Sequence, residues 1–268
     1  MEAHPEPTAP EEYKFDSQLV PEEATTFEPK EIDFLIRKGD KTQRLIFDGD
    51  IPFSEEEKAE MDKFEAFLKK TGQTVPEQFT YRFQYRYLQG EGYDPQKTVD
   101  ALHAYKEYLE TRITVTEEEA LPILNSGMLY AYKRDLSFRP VVIINVRKVI
   151  KQKVDITLLE RTTCFFMDLL INQAMVPGRV ENFFVIMDCD GMGVTSIPKD
   201  KLKAIAGAMQ SNYRGRLYKM FLVNVSALLR GLWKIGKGWM DPFTVEKMKV
   251  RGELKKYDED MSVFLPPE

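Results

Sequence analysis

Apolar positions change their rhythm along this chain near residue 139. Before it they recur at helical spacing; after it they gather into short, nearly unbroken runs. In PFSEEEKAEMDKFEAFLKKTG (52–72), Met61, Phe64, Phe67 and Leu68 share one helical face. Ser54 heads that segment, three glutamates follow and Gly72 closes it, the arrangement that caps a helix and suits its dipole. VPEQFTYRFQYRYLQGEGYDP, from Val75, continues as helix to about Leu88. Residues 94–112 form another, with Asp94 as cap and Pro95 at the first position. Leu121 to Tyr132 reads as short helix and turn, so residues 52–136 are expected to be a small helical bundle. Ahead of it, two apolar runs around Lys-Gly-Asp-Lys suggest a hairpin within 31–51.

Beyond 136 the runs RPVVIINV (139–146), ENFFVIMDCDG (181–191) and RLYKMFLVNVS (216–226) are apolar on both faces, as buried strands require. Helical periods at 155–174 and 198–213 separate them. Strands alternating with helices predict βαβ units and a mostly parallel sheet, closed by a short strand at 245–252. The expected fold class is therefore α/β: a lobe over 137–262, a bundle before it and a tail at 263–268.

Composition adds a core and a loose end. The chain is 43% hydrophobic and 12% aromatic, enough to fill a sizeable interior. Residues 1–30 hold five prolines and eight acids with few apolar side chains. Alone, such an arm is expected to be flexible, and it is a candidate for holding a protein partner. Cys164 and Cys189 lie in apolar runs, which fits buried thiols in a reducing compartment. No apolar stretch approaches 18 residues and no secretory pattern opens the chain, so a cytoplasmic location is the default expectation. The net charge of −5 conceals a split. Lys199 to Lys256 hold fourteen Lys/Arg against four Asp/Glu, a net +10, leaving −15 elsewhere. A basic face of this kind suits phospholipid head groups, phosphates or an acidic partner, or is simply solvated. Nucleic acid is not among the expected partners.

Catalytic patterns are thin. Asp188-Cys-Asp190-Gly191 ends a strand the way haloacid-dehalogenase-type phosphatases begin, but the further acidic pair needed for magnesium has no clear counterpart. Gly191-Met-Gly193 lacks the third glycine of a dinucleotide loop. His4 sits in the arm and His103 in a helix of mixed polarity. No metal-ligand spacing occurs. A non-catalytic protein without cofactor or metal is expected.

The stretch LLRGLWKIGKGWMDPFTVEKMKVRG (228–252) contains both tryptophans. On a helix from Ala227 to Lys237, Leu228, Leu232 and Ile235 form one stripe flanked by Leu229 and Trp233, while Arg230, Lys234 and Lys237 form another. Such a helix either meets a membrane interface or packs on its own sheet.

From Arg86 onward the sequence resembles the CRAL-TRIO lipid-binding family of phosphatidylinositol and phosphatidylcholine transfer proteins. RYLQGEGYDPQKTVDALHAYKEYLE, FRPVVIINVRK, ENFFVIMDCDGMGVTSIP and NYRGRLYKMFLVNVSALLRGLWKIGKGWMDPFTVEKMKVRG carry the resemblance, in order. It implies a lobe that holds one lipid in an apolar cavity and exchanges it at membranes, with helix 227–240 as the gate. Leu228, Leu229, Leu232, Trp233, Lys234, Lys237 and Trp239 would then touch the bilayer. It also implies head-group contacts from Thr244, Lys247, Thr195, Tyr213 and Arg216. Two positions depart from the family pattern: Glu91 stands where an Arg is expected, and Gly215 where a Glu is expected. The alternative is a scaffold on the same fold, recruited to an assembly through its arm and basic face.

Overall fold

The computed structural model describes residues 20–39, 41–193, 199–237, 242–252 and 261–266; for 199–205, 232, 235, 236 and 242 it describes the backbone alone. Two short helices, α1 (Glu22–Thr26) and α2 (Glu31–Phe34), lead into an antiparallel hairpin of β1 (Leu35–Lys38) and β2 (Lys41–Arg44). The flexibility expected of 1–30 does not extend to residues 20–30. Ala24 is fully buried, Phe27 packs edge-on against Phe138 at 5.4 Å, and Arg179 donates to the Phe27 carbonyl at 2.5 Å. The lobe supplies the apolar surface that this segment's own composition lacks. Residues 1–19 lie outside the described residues.

Three helices build the bundle. α3 (Glu55–Thr71) has the expected cap: the Glu57 amide donates to Ser54 Oγ at 3.2 Å, and the Ser54 amide donates to Glu57 Oε2 at 2.8 Å. α4 runs from Tyr81 to Gly90, later than the sequence suggests, because Thr80 is the residue whose side chain accepts from the first turn. α5 (Pro95–Thr111) starts at Asp94 as expected. Their common core joins Met61 and Phe64 to Tyr85, Tyr87 and Leu102. Phe79, Phe83, Tyr87 and Tyr105 stack within it at centroid distances of 4.7 to 5.8 Å.

After α6 (Glu117–Leu124) the expected helical region breaks off. Leu129–Arg134 is a strand, β3, paired antiparallel with β4 (Pro140–Asn145). It is an edge strand with a bulge between Ala131 and Arg134 and a left-handed Lys133, φ 55°. One neighbour and one covered side leave no clean alternation to read. From β4 the chain passes through α7 (Val146–Gln152) and α8 (Ile156–Leu169), which a π-helical turn, Leu170–Ala174, extends. β5 (Phe183–Asp188), α9 (Lys199–Asn212), β6 (Leu217–Val223), α10 (Ala227–Gly236), α11 (Pro242–Lys247) and β7 (Met248–Val250) follow. The strand expected at 245–252 is thus short, and its first residues are the end of α11.

The sheet order is β3-β4-β5-β6-β7, with every pair after the first parallel. Each parallel strand lies beside its successor, so right-handed crossovers put their helices on one face. The buried clusters agree for α8 and α9. Val142 and Val185 meet Phe166 and Met167 of α8 and Tyr213 beyond α9. On the opposite face Val141, Phe184, Phe221 and Val223 are covered by Leu45, Ile36 and the Met261–Leu265 segment.

Candidate functional site

Strand alternation sends Val142 and Ile144, Val185 and Met187, and Met220 toward the helices. Val142 and Val185 are buried, whereas Ile144, Met187 and Met220 stay half-buried although they sit on the inner strands. Leu158 and Phe165 of α8, Ile171 and Met209 are half-buried around the same cluster. Ile143 and Ile186 on the opposite face are half-buried as well. A closed core would cover such side chains, each worth about 1.5–3 kcal/mol on full burial. Both faces of the inner strands therefore keep some apolar surface accessible among the described residues, the helix-covered face at Ile144, Met187 and Met220.

At the carboxyl ends of the strands the chain turns into α10. Asn224 takes a left-handed conformation, φ 54°, and gives its side-chain amide to Asp188 Oδ1 at 2.9 Å. The same carboxylate oxygen accepts from the Asp190 amide at 3.0 Å, and Asp190 pairs with Arg147. These aspartates build the strand exit. Among the described residues no group of three or more His, Cys, Asp or Glu is placed to hold a metal ion.

Ser226 Oγ accepts from the Leu229 amide at 3.4 Å, and Arg230 reaches back to the Val225 carbonyl at 2.7 Å. On α10, Leu229 packs with Val146, Cys189 and Val225. Leu228 points outward at 64% exposure. Lys234 and Lys237 are exposed and Trp233 is half-buried. Among the described side chains of α10, apolar Leu228, Leu229 and Trp233 thus stand beside the cationic Lys234 and Lys237; the side chains of Leu232 and Ile235, the rest of the expected stripe, lie outside the described residues. Residues 238–240 with Trp239 lie outside them too, as does the far end of the expected helix 227–240.

Head-group candidates fall in two places. Thr244 and Lys247 sit on α11, Thr244 half-buried and Lys247 7% exposed. Tyr213 and Arg216 bracket the turn from α9 into β6, against the bundle. Tyr213 Oη donates to the Cys164 carbonyl at 3.0 Å and to Asp168 at 3.1 Å; burial pushes its phenol well above the usual value. Arg216 Nη1 donates to the Glu181 carbonyl at 3.1 Å and touches the Met175 sulfur at 3.8 Å. Thr195 lies outside the described residues.

The same turn accounts for both departures from the family pattern. Glu91 accepts from Arg214 Nη2 at 2.5 Å, so the changed position 91 is matched by a cation on the facing turn. Gly215 has φ 68°, and a Cβ there would lie 3.0 Å from the Phe47 ring and 3.7 Å from Arg86. A side chain at that point would be strained by the positive φ and would press on the Phe47 ring.

Sequence reading missed the centre of this junction. Glu181, 1% exposed, accepts from the Phe47 amide at 3.0 Å, the Asp48 amide at 2.8 Å, the Gly178 amide at 2.9 Å and Arg86 Nη2 at 2.5 Å. Burial alone would raise its carboxyl, but the Arg86 charge and the amides outweigh that and hold it below the usual range. Asp48 moves the other way, raised by burial and by the Glu181 charge. A glutamate just ahead of an apolar strand carries no sign of such partners, since all but Gly178 lie more than 90 residues away in sequence.

No helix among the described residues is long and apolar enough to cross a membrane. Residues 124–268 match the profile of the CRAL/TRIO domain. Among solved structures, the crystal structure of Sfh5 is similar at a TM-score of 0.55 and 16% sequence identity, over 78% of this chain and 85% of that one. At that identity the likeness speaks for the fold, and it spans bundle as well as lobe. A profile that covers more than half of the chain, laid on a sheet of the matching architecture, makes this protein a member of the CRAL/TRIO domain family.

Proposed function

We propose that the protein is a non-catalytic lipid carrier: it holds one lipid between the sheet and its covering helices and exchanges it at membranes. The observation that carries this reading is the half-buried apolar face of Ile144, Met187 and Met220 opposite Phe165 and Met209. Membership of the CRAL/TRIO family supports a lipid-binding role for that face. Helix 227–240 is the proposed gate. Leu228, Trp233 and Trp239 would enter the interface while Lys234 and Lys237 meet anionic head groups. Thr244 and Lys247, with Thr195, Tyr213 and Arg216, are the proposed head-group contacts for a phospholipid of the phosphatidylinositol or phosphatidylcholine type. The protein would act at the cytoplasmic surface of membranes, transiently.

Native mass spectrometry of protein purified from cells, followed by lipid extraction, tests this. One stoichiometric co-purified lipid is the expected result. Protein that is lipid-free, and stays so after incubation with mixed-lipid vesicles, sinks the carrier and leaves an interaction scaffold on the same fold.

A further inference from the structure

Three segments remote in sequence bring large apolar side chains to one place on the surface. Ile32 of α2 is 67% exposed, Leu136 of the turn after β3 is 57% exposed, and Val263 of the 261–266 segment is 65% exposed. Hydrogen bonds between their immediate neighbours set them side by side. Ser137 Oγ donates to Asp33 Oδ1 at 2.6 Å, and the Leu136 amide donates to the Phe264 carbonyl at 2.7 Å. Single exposed apolar residues are ordinary on a protein surface; a group assembled from three segments marks an interaction site.

The patch rests on a fixed base. Beneath it Arg139 donates to Asp33 at 2.8 Å and to Asp135 at 3.0 Å, and all three are buried. Phe27 packs on Phe138, which closes the Asp135–Phe138 turn in a left-handed conformation, φ 62°. A bulky residue there is strained, and such turns persist where their surroundings over-determine them. Apolar side chains held outward on so fixed a base lose little freedom when they are covered. The rim carries both signs: Glu28 and Glu31 stand with Lys30, Arg37 and Lys133, all exposed, and Glu31 pairs with Arg37 at 2.7 Å. Neither sign prevails, so a strongly charged partner or an anionic membrane gains nothing here. A two-fold contact between identical patches instead sets each sign against the other. β3 is an edge strand, but its bulge and the left-handed Lys133 blunt it against pairing with another sheet. Contact therefore runs through side chains.

We propose that this patch joins two copies of the chain in a reversible two-fold dimer, with Ile32, Leu136 and Val263 at its centre and the mixed charges as its rim. A small patch of this kind gives a weak dimer, with a Kd on the order of micromolar. Leu136 lies just before β4, at the amino end of the parallel strands, whereas α10 leaves from their carboxyl ends. A copy docked on the patch therefore leaves α10 uncovered. The proposal does not depend on the carrier reading.

Sedimentation velocity of the full chain from about 1 to 200 µM reads the association. The expected result is a mass that climbs toward twice the monomer's as concentration rises. Ile32→Glu and Leu136→Glu, each at an exposed side chain, should weaken self-association about tenfold or more, because near a two-fold axis the new charge faces its own copy. Ile113→Glu, exposed just beyond α5, is the control and should change nothing. A chain that is monomeric throughout that range overturns the proposal, as does a dimer left intact in variants with native circular dichroism. A folded Leu136→Glu that loses sedimentation with phosphatidylcholine–phosphatidylserine vesicles but keeps its self-association also overturns it, and makes the patch a membrane contact. Should the variants not fold, hydrogen exchange of the unaltered chain, dilute against concentrated, decides. Protection gained over 30–38 and 130–139 on concentration supports the dimer, and protection gained only elsewhere overturns it.

Discussion

The carboxylate of Glu181 joins three separate parts of the chain, because Phe47, Gly178 and Arg86 all donate to it. Glu181→Gln keeps the shape but removes the anion that pairs with Arg86 and whose charge also acts on Arg216 from farther off. Breaking a buried pair of this kind costs about 3–5 kcal/mol, so the urea midpoint should fall at unchanged slope. An unaltered midpoint would mean that the junction is not held electrostatically. The pH dependence has a definite sign. Glu181 is depressed in the fold, so its stabilisation is present above the usual glutamate value and lost as pH falls through the folded value. Asp48, raised in the fold, contributes in the opposite sense: its share is present at low pH and lost as pH rises through its folded value. Cys189 gives a second residue-level prediction. Burial, then Asp188, pushes its thiol to about 12. Iodoacetamide at pH 8 should therefore alkylate it far more slowly in the native protein than in urea, as mass spectrometry can follow. The same raised value makes the fold lose stability as pH climbs from the ordinary thiol range toward 12. The sequence placed both cysteines among apolar residues, and burial of Cys189 follows from that. It offered nothing on Glu181, because an isolated acid looks the same whether its partners are solvent or distant amides.

Helices and inner strands were legible where their period was strong. The cap at Ser54, the start at Asp94 and the strands β4, β5 and β6 follow directly from pattern and turn chemistry. Elements with few neighbours were not. β3 has a partner on one side only, and β7 is three residues long behind a six-residue helix. Neither develops a period long enough to outweigh local propensity. α10 shows the two kinds of information together. Its stripes were visible in sequence, but only its setting shows Leu229 turned inward and Leu228 turned out. Leu228→Glu should accordingly leave Tm within about 2 °C, since surface changes stay within roughly 0.5 kcal/mol. On the carrier reading it should also weaken sedimentation with anionic vesicles severalfold. Trp233→Ala combined with Trp239→Ala should slow lipid exchange between vesicles in the same way while circular dichroism stays native. Undiminished exchange would remove the gate from α10.

At the scale of the whole molecule, bundle and lobe are joined by backbone as much as by charge. Gly49 and Gly178 both have positive φ, and a Cβ on Gly178 would come 2.6 Å from the Gly49 Cα. Main chain cannot yield as a flexible side chain can. Gly178→Ala should therefore cost more than about 1 kcal/mol, visible as a lower Tm, and a neutral result would show that the contact is slack. The α/β class and its parallel sheet were readable from alternating periods. The junction was not, because contacts between distant segments leave no periodic trace in either one.

That junction bears on how the chain is made. Phe47 and the Glu181 that receives its amide are 134 residues apart. A ribosome adding about 5–20 residues per second needs roughly 7–27 s to cover that interval, far longer than helices or a small bundle take to form. Through that interval the nascent α3–α5 unit carries Arg86, the Phe47 ring and the bare Gly49 edge without the surface that finally covers them. Between those two moments of synthesis, the half-made protein presents a site that a chaperone is suited to guard.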